Sequence, residues 1–325
     1  MSSYSCLVTG GAGFIGSHVA ERLVRDGHRV RVVDNLSTGH EANLAHLRDD
    51  LEFIKGDLTD PAVCRKVTEG VEVVYHLAAL ASVPRSMEDP VACHEHNVNG
   101  TFNLLVAARD AGARRIVFSS SSSVYGDTPT LPKVETVEPL PKSPYAAAKL
   151  SGEQYVAAFA RSGMLEGAAL RYFNVFGPRQ SPDSAYAAVI PVFMAAAQAG
   201  TAAPLYGDGG QTRDFTYVDN VVQANLLAGE GPAAKVSGSV CNVGAGDRTS
   251  LLQLLEMIGD VAGKPVAIDR LPERAGDVRD SLASMARAQE LLGYKVLVPL
   301  REGLERTWSW FAGDSAAADT SSGRA

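Results

Sequence analysis

The chain has 325 residues, 46% apolar and 21% charged, an ordinary globular composition that excludes wholesale disorder. Its 30 Lys and Arg against 37 Asp and Glu leave a formal net charge of −7, and with Arg114-Arg115 as the longest basic cluster no nucleic-acid partner is expected, since phosphate contacts need clustered cations. No stretch approaches the ~18 uninterrupted apolar residues of a membrane span, and the N-terminus lacks the charged-then-apolar layout of a signal peptide. Cys6, Cys64, Cys93 and Cys241 form no C-x-x-C pair and no zinc-type spacing, so reduced thiols in a cytoplasmic protein, and no metal, are expected.

Residues 4–8 are a short apolar run that leads into a glycine cluster. Residues 13–26 are amphipathic, with Ile15, Val19 and Leu23 on one stripe, and predict a helix. Strands are expected over 29–33, 51–55, 71–77 and 115–120, and a helix over 99–111. Strands alternating with helices predict a Rossmann-type, doubly wound parallel sheet of the α/β class. After Arg171 the rhythm loosens. Gly, Pro and polar residues dominate 174–183 and 203–213, between and after which helices are expected over 219–227, 251–261 and 285–292 and a strand over 240–243. This predicts a dinucleotide-binding domain of residues 1–173 plus about 214–245. A smaller, partly inserted C-terminal substrate domain would take about 174–213 plus 246–312. Residues 313–325 lack periodicity and read as a disordered tail.

The strongest local pattern is Thr9-Gly10-Gly11-Ala12-Gly13-Phe14-Ile15-Gly16, between an expected strand and an expected helix. Glycines let the backbone approach a pyrophosphate, and a helix N-terminus offers free N–H groups to it. Asp34 follows 18 residues after Gly16, where a carboxylate accepts from adenosine ribose hydroxyls and repels a 2′-phosphate; this favours NAD over NADP. Asp57, after the next strand, is placed to accept from the adenine amino group. Tyr145 and Lys149 share a helix face at i, i+4, behind the helix-start pair Ser143-Pro144 and after the serine run Ser119–Ser123. Tyr has a pKa of about 10 and is a poor base at neutral pH. A nearby ammonium and the positive nicotinamide are expected to lower it, and a serine hydroxyl can hold the substrate oxygen that loses its proton.

These residues, with His76-Leu-Ala-Ala79, Ser121-Ser-Ser-Val-Tyr125-Gly126, Arg171-Tyr-Phe-Asn174 and the segment Pro178 to Pro191, resemble the extended short-chain dehydrogenase/reductases that act on sugar nucleotides. Among them the chain is most similar to UDP-sugar 4-epimerases, and especially to those accepting N-acetylated sugars. The resemblance implies Ser121, Tyr145 and Lys149 as catalytic residues, with tightly bound NAD regenerated in each turnover. It puts Gly10, Gly13, Phe14, Ile15, Asp34, Asn35, Asp57, Leu58, Leu77, Ala78, Ala79, Tyr145, Lys149 and Phe173 at cofactor contacts. It puts Ser121, Ser122, Ser123, Tyr145, Asn174, Ala188, Val189, Tyr206, Arg213, Arg274 and Ser281 at substrate contacts. Arg213 and Arg274 match the arginines that fork onto the diphosphate. It also implies a homodimer through the helices near 99–111 and 145–161.

Departures from the family narrow the reaction. Dehydratases carry an acid pair after the catalytic Ser or Thr, and decarboxylases a Glu; here Ser122 and Ser123 stand there, which favours oxidation and return over elimination. Ser281 aligns with the residue that gates the sugar's 2-position, where a small side chain leaves room for an acetamido group. His96 stands where relatives often have a small polar residue near the cofactor. His94 and His96 without a third ligand read as surface histidines rather than a metal pair. A UDP-glucuronate 4-epimerase, another nucleotide-sugar oxidoreductase and a non-catalytic NAD-binding protein stay open as alternatives.

Overall fold

The computed structural model describes residues 3–182, 188–273 and 279–313. Strands and helices alternate at first: β1 (Ser5–Thr9), α1 (Phe14–Arg25), β2 (Arg29–Asp34), β3 (Leu51–Lys55), α2 (Pro61–Thr68), β4 (Val73–His76), the short α3 (Val83–Glu88) and α4 (Pro90–His94), α5 (Gly100–Asp110), β5 (Arg115–Ser121), α6 (Pro144–Arg161) and β6 (Glu166–Tyr172). Shorter pieces follow: β7 (Val175–Phe176), α7 (Val189–Ala199), β8 (Ala203–Tyr206), β9 (Thr212–Arg213), β10 (Thr216–Tyr217), α8 (Val218–Glu230), α9 (Ala233–Val236), β11 (Ser239–Val243), β12 (Thr249–Ser250), α10 (Leu251–Ala262), β13 (Ile268–Leu271), α11 (Ala286–Leu292) and α12 (Leu300–Phe311).

Seven strands form one sheet in the order β11-β6-β5-β4-β1-β2-β3, and every pair in it is parallel. The strands are apolar on both faces because helices cover both. Along β1, Cys6 and Val8 join one core cluster while Leu7 joins the other, the period-2 alternation of a pleated strand. The same division splits Val73 and Tyr75 from Val74 on β4. Helices α1 and α8 lie on the first face, and α2, α5 and α6 on the second.

The chain lays down β1, β2 and β3 in one direction and then crosses back to β4, β5 and β6. The switch falls between β1 and β4, and their carboxyl ends open the crevice where such sheets bind ligands. Outside the large sheet, β8 pairs with β13, β9 with β12 and β7 with β10. Helix α6 starts sharply because Ser143 caps it, its hydroxyl accepting from Ala146 N at 3.1 Å, with Pro144 in the first turn. Among the described residues no helix is long and apolar enough to cross a membrane. All four cysteines are buried and unpaired. Of residues 313–325, expected as a tail, 314–325 lie outside the described residues.

Candidate active site

A cleft of about 680 Å³ opens at the switch point between β1 and β4. One wall is the glycine turn. Gly10 has φ +65°, and a Cβ there would lie 2.7 Å from the Ala78 backbone. A Cβ on Gly16 would collide with the Gly10 carbonyl. The Gly13 N–H closes the turn on Gly10 O at 3.1 Å. Phe14 and Ile15 continue the wall into α1.

Asp34 ends β2 at the cleft. Its two carboxylate oxygens accept from Ala12 N at 3.0 Å and Leu36 N at 2.8 Å, which leaves each oxygen a further lone pair. Burial pushes its pKa up, and the two backbone hydrogen bonds pull against that. Farther along, Asn35 Nδ2 donates to Asp57 at 2.8 Å, Thr59 donates to it from backbone and hydroxyl, and His96 Nδ1 stands 3.6 Å away. Partial burial raises the Asp57 pKa, but these donors outweigh it and hold the carboxyl below its ordinary value. His96 and Leu58 line the cleft beside this group.

Behind the floor formed by Leu77, Ala78 and Ala79 runs a polar chain. Ala78 N donates to Thr9 Oγ1 at 3.1 Å, Thr9 Oγ1 meets His76 Nδ1 at 2.7 Å, and His76 Nε2 meets Thr101 Oγ1 at 2.9 Å. Thr101 in turn donates to Asn97 O at 2.7 Å. Burial, with the Lys149 charge, lowers the His76 pKa to about 3, so the imidazole is neutral.

Tyr145 and Lys149 line the opposite end of the cleft, with Ser119, Ser120 and Tyr172. Tyr145 N donates to Ser86 Oγ at 3.2 Å, fixing the start of α6 against α3. Burial raises the Tyr145 pKa to about 12, and the Ser121 hydroxyl beside it pulls it back toward the usual value. Ser121 Oγ also accepts from Ser123 N at 3.2 Å and meets Ser123 Oγ at 2.9 Å. Lys149 donates to Ser119 O at 2.7 Å and lies 5.9 Å from the Tyr145 ring centre. Burial lowers its pKa to about 8. The expectation that the ammonium lowers the phenol therefore needs correction for the protein alone. Lys149 is anchored on a carbonyl, and desolvation dominates the tyrosine.

Sequence reasoning missed what holds this end together. Glu153, one turn after Lys149, is 1% exposed and takes Arg171 in a two-point pair at 2.9 and 2.8 Å. Ser120 donates to the same carboxylate. This ties α6 to β5 and β6 behind Tyr145 and Lys149. The only signal was a charged residue at i+4 from Lys149, on a helix that is otherwise Ala-rich.

The other expected residues divide. Phe173 is fully buried against Tyr125, with ring centres 6.3 Å apart. Its ring belongs to a small core with Val124 and Ala283 and stands behind the cleft wall rather than on it. Asn174 is exposed, with φ +20°, and its carbonyl accepts from Thr216 N at 3.1 Å. Ser122 and Ser123 form the turn after β5. Ala188 and Val189 start α7, which packs on β8, where Tyr206 sits. Arg213 donates to Thr212 O at 2.9 Å and Arg279 O at 3.2 Å, and Ser281 N donates to Thr212 O at 3.1 Å, so Arg213 and Ser281 are brought onto neighbouring segments. Arg274 lies outside the described residues. Ser82, Arg85 and Glu88 line the cleft without having been singled out. Among the described residues no group of three or more His, Cys, Asp or Glu could hold a metal ion.

Residues 6–244 match the family model described as the NAD dependent epimerase/dehydratase family. The chain belongs to that family. It is 42% identical to the UDP-glucose 4-epimerase of Mycolicibacterium smegmatis over 95% of this chain and 99% of that one. Among solved structures, it resembles the UDP-N-acetylglucosamine 4-epimerase of Methanobrevibacter ruminantium in complex with UDP-N-acetylmuramic acid. The two are 40% identical with a TM-score of 0.91, over 97% of this chain and 100% of that one. It also resembles the Thermus thermophilus UDP-glucose 4-epimerase in complex with NAD, at 36% identity and a TM-score of 0.86, over 95% and 99% of the two chains. The protein is thus a UDP-sugar 4-epimerase-like enzyme of the isomerase class, and NAD is its cofactor. The cleft fits that group: side chains at Gly10 and Gly16 would fill the cradle, and Asp34 keeps acceptor capacity for hydroxyls.

Proposed function

We propose that the enzyme inverts C4 of a UDP-hexose. The sugar is oxidised to a 4-keto intermediate and reduced again from the opposite face. The observation that carries this reading is Tyr145 on the cleft wall, with the Ser121 hydroxyl close enough to act on its phenol and Lys149 one helical turn on. NAD, when bound, supplies the hydride acceptor and the returning hydride at C4. Tyr145 as phenolate takes the 4-hydroxyl proton and later gives it back, so no net proton is lost. Ser121 holds the same sugar oxygen and, through Ser123, has a second hydroxyl to share the proton with. Lys149 keeps a cation beneath the tyrosine ring and binds the ribose next to it.

The substrates we propose are UDP-GlcNAc and UDP-GalNAc together with UDP-Glc and UDP-Gal. The small Ser281 beside the strand of Arg213 supports room for an acetamido group. A glucuronate would want a further cation at its C6 carboxylate. Arg179 is engaged elsewhere: it pairs with Glu21 and donates to Ser17 on α1. That favours neutral sugars. We also propose a homodimer through α5 and α6, supported by Phe102 and Tyr155, whose ring centres lie 5.0 Å apart and which stay 40% and 39% exposed.

The test is turnover of UDP-glucose, UDP-GlcNAc and UDP-glucuronate without added NAD. C4 epimers of the first two are expected. Reduced nicotinamide accumulating in step with product would make the protein a dehydrogenase and overturn the reading.

A further inference from the structure

Asp214 lies between β9 and β10, directly after Arg213, and none of its surface is exposed. Three backbone N–H groups from two other segments converge on its carboxylate. One oxygen accepts from Ala245 at 2.7 Å, the other from Gly246 at 3.0 Å and Ala283 at 3.0 Å. Ala245 and Gly246 belong to the loop between β11 and β12. Ala283 is two residues after Ser281. The approach is tight: a Cβ on Gly244 would lie 2.8 Å from the carboxylate and 2.6 Å from the Ala283 side chain.

We propose that Asp214 is a positioning residue for the UDP-sugar pocket, its charged carboxylate fixing the Ser281 segment and the β11–β12 loop against the strand that carries Arg213. The inference rests on the UDP-sugar reading above and deepens it. A carboxylate is the one side chain that supplies several acceptor sites within a span this short and donates nothing when ionised. An amide would reproduce at most one of the two oxygens. It would then turn an NH2 group toward either Ala245 or the Gly246–Ala283 pair. Charge strengthens each of the three bonds. The fold holds this charge in spite of its burial, which raises the Asp214 pKa to about 6 against the pull of its three donors. A group kept where desolvation works against it marks a site where geometry matters more than stability.

The other ionisable groups facing this carboxylate are known. Asp247, in the same loop as its donors, adds negative charge and raises it further. The Tyr294 phenol, placed by its own hydrogen bond to Gly244 O at 2.7 Å, is held far above neutrality by burial and by Asp214. The Arg213 guanidinium, on the adjoining residue, turns to the carbonyls of Thr212 and Arg279. As pH falls through about 6, Asp214 takes up a proton and one oxygen becomes a donor facing an N–H. The pocket should then loosen.

The experiment uses the holoenzyme with UDP-GlcNAc, measuring KM and kcat from pH 5 to pH 8 for the wild type and Asp214→Asn. The nucleotide sugar's diphosphate has no ionisation in that range. Every other group is shared by the two proteins, so the difference isolates Asp214. The expected result is a KM raised by about 10- to 100-fold in the variant, kcat within about threefold, and unchanged NAD content. In the wild type 1/KM should fall below pH 6, and the variant should lack this limb. Equal KM values, or a fall in kcat with KM unchanged, would overturn the inference while leaving the epimerase reading intact. A wild type that turns over no UDP-sugar would overturn both. Should the variant fail to fold, the wild-type profile decides alone: 1/KM flat from pH 5 to pH 7.5 sinks the proposal.

Discussion

Tyr145 and Lys149 share one face of α6, yet the ammonium bonds the Ser119 carbonyl while the phenol has the Ser121 hydroxyl beside it. The two groups are neighbours without being partners. Burial drives them in opposite directions, the phenol to about 12 and the ammonium to about 8. Both are thereby pushed toward their neutral forms.

Replacing Tyr145 with Phe removes the proton acceptor and little else. General-base removal is expected to lower kcat by about 10²- to 10⁴-fold. NAD retention, read by absorbance of the isolated protein, should be unchanged. Loss of NAD together with activity would place the residue in cofactor binding instead.

The Lys149 shift has a signature in stability. Its folded pKa lies below its unfolded value of 10.5. Between about pH 8 and 10.5 the unfolded chain therefore binds more protons, and stability rises with pH in that window. Urea unfolding of the NAD-free protein should show the wild type gaining on Lys149→Met by up to about 3 kcal/mol across the window, at 1.36 kcal/mol per pKa unit. A constant gap between the two proteins would contradict the burial.

Glu153→Gln leaves the Arg171 guanidinium buried without its anion. Breaking one half of a buried pair costs about 3–5 kcal/mol. Thermal unfolding should shift down accordingly. A double replacement, Glu153→Leu with Arg171→Met, should recover much of the loss, since neither charge is then stranded.

Ser281→Tyr tests the sugar gate. Turnover of UDP-GlcNAc should vanish while UDP-glucose turnover persists. Retention of both would show that the acetamido group sits elsewhere.

The parallel sheet was legible because its strands are short apolar runs between glycine turns, and the expected strand at 29–33 lies within Arg29–Asp34. The glycine turn and the Tyr145/Lys149 spacing were legible because their chemistry is local in sequence. Helices α7 and α12 were not foreseen. α7 is hidden by the polar segment before it, and α12 buries only Gly303, Leu304 and Thr307, too narrow a stripe to announce itself. Glu153–Arg171 spans 18 residues and Asp214–Ala283 spans 69. Nothing in a linear pattern pairs such residues; the tertiary fold does. Phe173 follows Tyr172, the last residue of β6; Tyr172 lines the cleft while Phe173 is buried with Tyr125 and Ala283.

The chain from Ala78 to Asn97 has a single possible polarity. Thr101 gives its hydroxyl hydrogen to Asn97 O, so it can only accept from His76 Nε2. Nδ1 must then accept from Thr9, whose oxygen accepts from Ala78 N–H. His76 is thereby locked as its Nε2–H tautomer, and nitrogen-15 NMR of the ring should find one species from pH 5 to pH 9. Under the dinucleotide cleft lies a row of hydrogens that all point the same way, indifferent to the acidity of the medium.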